Sequence, residues 1–494
     1  MEYPKNKKEF ILYLAALELK LKKMYGKFYS DALKIEAVRK AIENGSSDFT
    51  FDKNKSAKRQ LERLLNGLSS QVNALITSGN NNSFKLGEKS VDSTVLDTFG
   101  GNKKADDFIK QALRDHKTSA ITASKLSNQK RGGLTLSDRV WNLKENSTKE
   151  IEIAIQNGIL EGKGAAEISR DITKFLNNPD ALFRRVKNKE TGELEWSKAA
   201  KNFKPGQGSP GIYRSAHRNA MRLLRTEMAR AYRRAEWERF QTSPFIVGYK
   251  ISLSNNHTVL INGKPVPFHD ICDELAGEYP KEFLWEGWHP QCRCIMLPIL
   301  ISDKEFERLR RLKIEGRENE FKPKNVIKNP PKKFYDWIRN SKERLANAKS
   351  LPFWMQDNID LAEIRDVAES NIRVKSLRNW AKENIQQTTI HHNQLNRNIE
   401  FTGKGLKEYL NQPHKHYYEK NELIKDISNI LKNSKYLGSN KYVKRNPMIL
   451  NSHVFEIEIK GEKSWLIVRE DKANNLSFYS ISDNEKVLKG LKRK

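Results

Sequence analysis

Apolar residues recur at three- and four-residue intervals over 10–21 and again over 61–76, the spacing of one helix face, so residues 1 to about 75 are predicted helical. The run SGNNNSFKLGEKS, with Asn80, Asn81 and Asn82, is a polar breaker that no element is expected to cross. A second helical block covers 134–176, with Ser137 as its N-cap, Gly158 and Gly162 marking its break, and 165–176 as a short closing helix. FKPGQGSPGIY punctuates 203–213. A long helix is then expected from Ser215 to about Phe240, with Met221, Leu224, Met228, Ala231, Ala235 and Phe240 on one stripe.

The period shortens beyond it. PFIVGYKISLS reads as a strand, and near the end of the chain HVFEIEIK, SWLIVRED and NLSFYSIS alternate with the turn signals KGEK and KANN. An amphipathic helix over 422–431 precedes those three strands. The expected fold class is therefore multidomain: mainly helical N-terminal and central regions, an α+β module, and a small α+β C-terminal domain with a helix followed by an antiparallel sheet. Breaks such as Pro330 and Pro331 divide the chain into a helical N-terminal region 1–120, a module 130–300, a helical linker region 301–396 and a C-terminal domain 397–494.

Charge narrows the picture. The 494 residues carry 90 Lys and Arg against 61 Asp and Glu, a net +29, which suits work beside a polyanion such as nucleic acid. Seven arginines fall between Arg218 and Arg239, to be read either as a solvated basic face or as a phosphate- or partner-facing surface. No apolar stretch approaches the ~20 residues of a membrane span, and the N-terminal apolar run is too broken by lysines for a secretory signal. Three cysteines, all within 272–294, exclude a disulfide-stapled fold and fit synthesis in a reducing cytoplasm. No GxxxxGK[ST], GxGxxG or HExxH is present, so nucleotide hydrolysis and zincin chemistry have no motif to rest on.

The densest chemistry is HDICDELAGEYPKEFLWEGWHPQCRC. Cys272, His289, Cys292 and Cys294 are enough in number for one structural tetrahedral Zn²⁺. One residue between Cys292 and Cys294 is a tight spacing for two ligands of one ion, so the other reading is a compact loop of buried thiols with His289 and Pro290 in its turn. Catalytic zinc is disfavoured because no Glu stands at an HxE spacing beside the ligands.

The run from His289 to Cys294 (HPQCRC), preceded by Asp270, Ile271, Cys272, Asp273 and Gly277, resembles the signature of the phage Mu F-like minor head proteins, the head-morphogenesis family. Arg225-Thr226-Glu227 matches the triplet on that family's long helix, and Arg139, Gly158, Gly162 and Ile168 fit its helical opening. The likeness covers about 130–300. It implies a minor capsid component in the phage head or at the portal, with portal and capsid proteins and non-specifically held packaged DNA as partners. The implied location is the virion, after synthesis in the bacterial host cytoplasm.

Residues 397–494 resemble, by architecture and position, the small nucleases of the barnase–EndoU–colicin–RelE fold. Metal-free RNA cleavage needs a base for the ribose 2′-OH, an acid for the leaving oxygen and a cation for the phosphorane. His414, His416 and His453 are the acid/base candidates, Lys404, Lys407 and Arg469 the cations, and Ser480 or Tyr479 a phosphate-binding hydroxyl. Strand alternation puts Tyr479 and Ser480 on opposite sides, whereas Arg469 shares a face with Ser480. Of the three histidines, His453, just before a strand, is the one read rather as structural. The alternative is a purely structural virion protein whose last domain binds nucleic acid or capsid partners without catalysis.

Overall fold

The computed structural model describes residues 5–115, 126, 128–131, 133–203, 215–254, 258–261, 264–267, 269–441 and 448–491. All but Phe203 of the 203–213 punctuation lies outside them. The chain forms two compact units, Met1–Pro331 and Lys332–Lys494. The expected fold class, helical with a C-terminal α+β domain, is what the structure has.

In the first unit the helices are α1 (Lys5–Leu33), α2 (Glu36–Glu43), α3 (Lys55–Phe99), α4 (Lys103–Asp115), α5 (Leu136–Trp141), α6 (Leu143–Leu160), α7 (Ala165–Phe175), α8 (Lys198–Asn202), α9 (Ala216–Thr242), α10 (Ile271–Leu275) and α11 (Asp303–Ile314). Its strands are β1 (Val186–Lys187), β2 (Leu194–Glu195), β3 (Ile246–Ser252), β4 (Thr258–Ile261), β5 (Lys264–Pro267), β6 (Gly277–Tyr279) and β7 (Ile295–Leu300). One core joins Leu17, Leu21 and Tyr25 of α1, Leu61 to Ile76 of α3, Ile151 to Ile155 of α6, and Leu224 and Met228 of α9. β3 sits between β6 and β7 in an antiparallel three-stranded sheet.

α3 overturns the expected breaker: one helix of 45 residues runs straight through Asn80, Asn81 and Asn82. The small polar residues are its packing face. A Cβ on Gly79 would stand 2.5 Å from the Met228 sulfur and one on Gly87 2.3 Å from the Tyr232 carbonyl oxygen, while Ser83 and Ser90 are buried along the same stripe. Small side chains let α9 come close; the polarity of the run misleads because it is read as exposure. Two smaller corrections follow the same logic of local hydrogen bonds. The cap of α5 is Thr135, not Ser137, because Thr135 and Asp138 close a reciprocal capping box. Helix α6 continues through Gly158 to Leu160, and the turn falls at Gly162, whose φ of +69° is left-handed.

α9 starts where expected, with Ser215 accepting from the Arg218 amide. The buried Glu150 carboxylate also accepts from the Ala216 amide at that end and from the Tyr29 hydroxyl at 2.6 Å. Burial pushes its carboxyl up to about 7.

The second unit comprises α12 (Lys332–Ala346), α13 (Phe353–Gln356), α14 (Ala362–Asn384), β8 (Thr389–His392), β9 (Arg397–Glu400), α15 (Gly403–Asn411), α16 (Tyr417–Glu422), α17 (Ile427–Asn433), β10 (Lys435–Lys441), β11 (Ile449–Ile459), β12 (Glu462–Asp471) and β13 (Leu476–Ser482). Six strands lie in the order β10-β11-β12-β13-β9-β8, antiparallel except for β13 against β9. Leu377, Ala381, Leu406, Tyr409, Phe455, Leu466, Val468 and Phe478 build the core between the helices and one sheet face. The helix expected over 422–431 is interrupted by a 3₁₀ turn at Leu423–Asp426.

Candidate functional site

The cysteine loop is assembled against α9. Asp270 caps α10, its carboxylate accepting from the Cys272 amide, and so presents the Cys272 thiol to the loop. Cys272 Sγ lies 3.1 Å from His289 Nε2 and 3.7 Å from Cys292 Sγ. The ligand atoms of Cys272, His289 and Cys292 all fall within 4.8 Å of one another, a set that could hold one metal ion. Two thiolates on a tetrahedral zinc, with Zn–S of about 2.3 Å, stand about 3.8 Å apart, so the sulfur spacing fits. His289 Nδ1 lies 2.8 Å from the Pro290 carbonyl oxygen, which places the proton there and leaves Nε2 with the lone pair a metal needs. Asp270 Oδ2 is 3.3 Å from that same nitrogen. Cys294, the fourth expected ligand, is buried at the foot of β7 and outside the mutually close set.

Hydrogen bonds from the Cys272 and Cys294 thiols, reinforced by Arg233 and His289, outweigh burial and hold Cys292 well below the usual thiol range. The bond to Cys292 pushes Cys272 the other way.

The Arg225-Thr226-Glu227 triplet and the HPQCRC run meet in space. Gln291, at φ +61°, donates its amide to Thr226 Oγ1 at 3.2 Å, and its side chain accepts from Arg225 at 3.3 Å. Glu227 accepts from Arg139 at 2.7 Å. About two turns on, the buried Arg233 guanidinium donates to the carbonyls of Glu286, Cys292 and Cys294 at 2.9, 2.6 and 2.9 Å and stacks over Trp285. Neither reading of the arginine row holds for these residues. Arg230 is bonded to buried Glu286 and Arg239 to Asp92 and the Leu113 carbonyl, so these arginines bind the protein to itself. Burial raises the Glu286 carboxyl, but Arg230 and Arg131 overcome it and the net direction is down.

In the second unit His414 and His416 are neighbours, their rings 6.0 Å apart. His414 Nδ1 accepts from the His416 amide at 2.9 Å, which leaves Nε2–H to donate to Ser464 Oγ at 3.1 Å. Burial lowers the His414 pKa and favours that neutral ring. Both nitrogens are thus committed to fastening the loop onto β12. His416 Nε2 is 3.1 Å from Glu462, which also pairs with Lys415.

Arg469 stands elsewhere. Five residues along β12 from Ser464 is roughly 16 Å and an odd offset, hence the opposite sheet face. There it stacks on Tyr479 at 3.2 Å. A bulge at Tyr479 moves the register from Val468↔Phe478 to Ile467↔Ser480, so Tyr479 and Ser480 face the same way, which corrects the alternation expected for them. Ser480 is buried, and Lys404 is exposed on the first turn of α15.

A different histidine is wired as a proton carrier. The Tyr436 hydroxyl is 2.9 Å from His453 Nδ1, and His453 Nε2 is 3.3 Å from Glu470, which also accepts from Asn451 at 2.6 Å and from Arg397. Carboxylate, imidazole and hydroxyl in series are the parts of a proton relay. The signal was parity: His453 shares the core-facing parity of Phe455, and Glu470 that of Leu466 and Val468, so both are polar residues on an apolar stripe.

Residues 369–479 match the family described as large polyvalent protein-associated domain 3. No curated protein and no solved structure matches the chain. The matched segment begins inside α14 and ends in β13, so it contains the relay, the His414 loop and Arg469. Among the described residues no helix is long and apolar enough to cross a membrane.

Proposed function

We propose that the protein is a phage minor head protein, placed in the head or at the portal, that carries an RNA-directed C-terminal unit. The observation that carries this is the meeting of the two motifs: the HPQCRC loop is docked through Gln291 and Arg233 onto the helix bearing Arg225, Thr226 and Glu227. The polyvalent-protein domain at 369–479 supports a phage-related role. The +29 charge suits non-specific contact with packaged DNA. Zinc held by Cys272, His289 and Cys292, with Cys294 and Asp270 beside them, would contribute folding free energy to the loop. Mass spectrometry of purified phage heads should find the protein; its absence there overturns the assignment.

Catalysis in the C-terminal unit would fall to His453, with Glu470 orienting it and Tyr436 as the half-buried terminus, acting as a metal-independent ribonuclease. The full chain should cut tRNA in EDTA and leave 2′,3′-cyclic phosphate ends, and His453→Ala should lose about 10²–10⁴-fold. The second reading, binding without cleavage, is favoured by the closed hydrogen bonding of His414 and the separation of Arg469 from it. RNA bound equally by the wild type and the variant, and cut by neither, selects it.

A further inference from the structure

A cavity of about 480 Å³ opens between α14, α15 and the segment after α12. Lys349, Arg378, Lys382 and Lys407 line it, with amides such as Gln386 and Asn411, and no carboxylate is among its lining residues. Other cations of the same unit do meet carboxylates: Arg373 with Glu422, Arg397 with Glu470, Lys342 with Asp366 and Lys463 with Glu456. None of the four lining cations forms an ion pair among the described residues. Arg378 donates one bond to Asn411 at 3.3 Å, and its buried Nε has no hydrogen-bond partner.

Like charges gathered around a concavity repel one another, and no carboxylate of the lining offsets these four. Four unquenched cations and a spare buried donor therefore describe an anion site whose anion is not part of the chain. The volume exceeds what a bare inorganic anion needs, and amides offer both donors and acceptors for a base edge or a ribose. We infer that this pocket binds the phosphate of one nucleotide unit, with Arg378, Lys382, Lys407 and Lys349 around the phosphate and Gln386 and Asn411 toward the nucleoside. The site shares no residue with the Tyr436–His453–Glu470 relay and stands whether or not RNA is cut.

The test titrates the full chain against a fluorescein-labelled single-stranded oligonucleotide, read by anisotropy. Lys382→Glu with Lys407→Glu should weaken binding about tenfold or more and make the slope of log affinity against log salt shallower by roughly 1.4, the share of two phosphate contacts. A charge-matched control, Lys432→Glu with Lys472→Glu, should weaken it less than about twofold. Equal losses in the two variants, or no loss in either, overturn the proposal. If the reversal pair melts below the wild type, Lys382→Gln with Lys407→Gln takes its place, and the same comparison decides. Adenosine 5′-monophosphate displacing the oligonucleotide from the wild type supports the pocket with free nucleotide as its source. A pocket-specific loss without that displacement supports it with the strand as its source. Cleavage is not read in any arm, so failure of the ribonuclease reading is separately visible.

Discussion

The arginine row of α9 and the cations around the α14–α15 cavity are both dense positive charge, yet they are spent differently. In α9, Arg225, Arg230, Arg233 and Arg239 end on Glu18, Glu286, Asp92 and backbone carbonyls, several of them buried. Around the cavity, Lys349, Arg378, Lys382 and Lys407 have no carboxylate to meet. The sequence advertises the first group and is quiet about the second. Pairing, which only the fold decides, separates an internal fastener from a surface that waits for an anion.

The largest expected effect strikes the fastener. Arg233→Ala leaves three carbonyls without their donor and should cost the first unit about 3–5 kcal/mol by chemical denaturation. Unchanged stability with weakened nucleic-acid binding would invert the comparison. Lys420 sharpens it as a third kind of cation. It is fully buried, its amine donates to the Tyr409 and Gln412 carbonyls, each at 2.6 Å, and burial lowers it to about 7. Between that value and about 10.4, the unfolded chain holds a proton the folded one lacks, so stability should rise with pH across this window, by at most about 1.4 kcal/mol per pH unit. Lys420→Met should flatten the rise in melts at pH 7, 8 and 9; a rise unchanged by the substitution contradicts it. Next in size, Gly87→Ala drives a methyl into the Tyr232 carbonyl and should destabilise by about 1–3 kcal/mol, because α3 and α9 touch there. Smallest of all, Lys382→Glu should move stability by no more than about 0.5 kcal/mol while still weakening oligonucleotide binding.

What could be read from the chain was what local rules decide. The long helix begins at Ser215 as expected, because a serine before a 3.6-residue stripe marks a helix start, and that serine caps it. The three long strands were legible by alternation. Long-range packing was not. Asn80 is buried on α3, a helix whose small residues Gly79 and Gly87 pack against α9. The hairpin of β8 and β9 comes from TTIHHNQLNRNIE, which has no strong periodicity and is ordered by the parallel pairing of β9 with β13. In the metal set, three of four ligands come together; Cys294, the residue before β7, falls outside that set although its thiol bonds to Cys292. The bulge at Tyr479 undid strand parity, and the His453 relay needed the cross-strand register to bring Glu470 to it.

The contrast between fastened and waiting charge is tested most directly by photocrosslinking the full chain to a 4-thiouridine-labelled single-stranded RNA and mapping the attached peptides by mass spectrometry. The account predicts crosslinks within 347–411, at the cavity, and none within 216–242. Crosslinks concentrated on the arginine row of α9, with the cavity unlabelled, would contradict it.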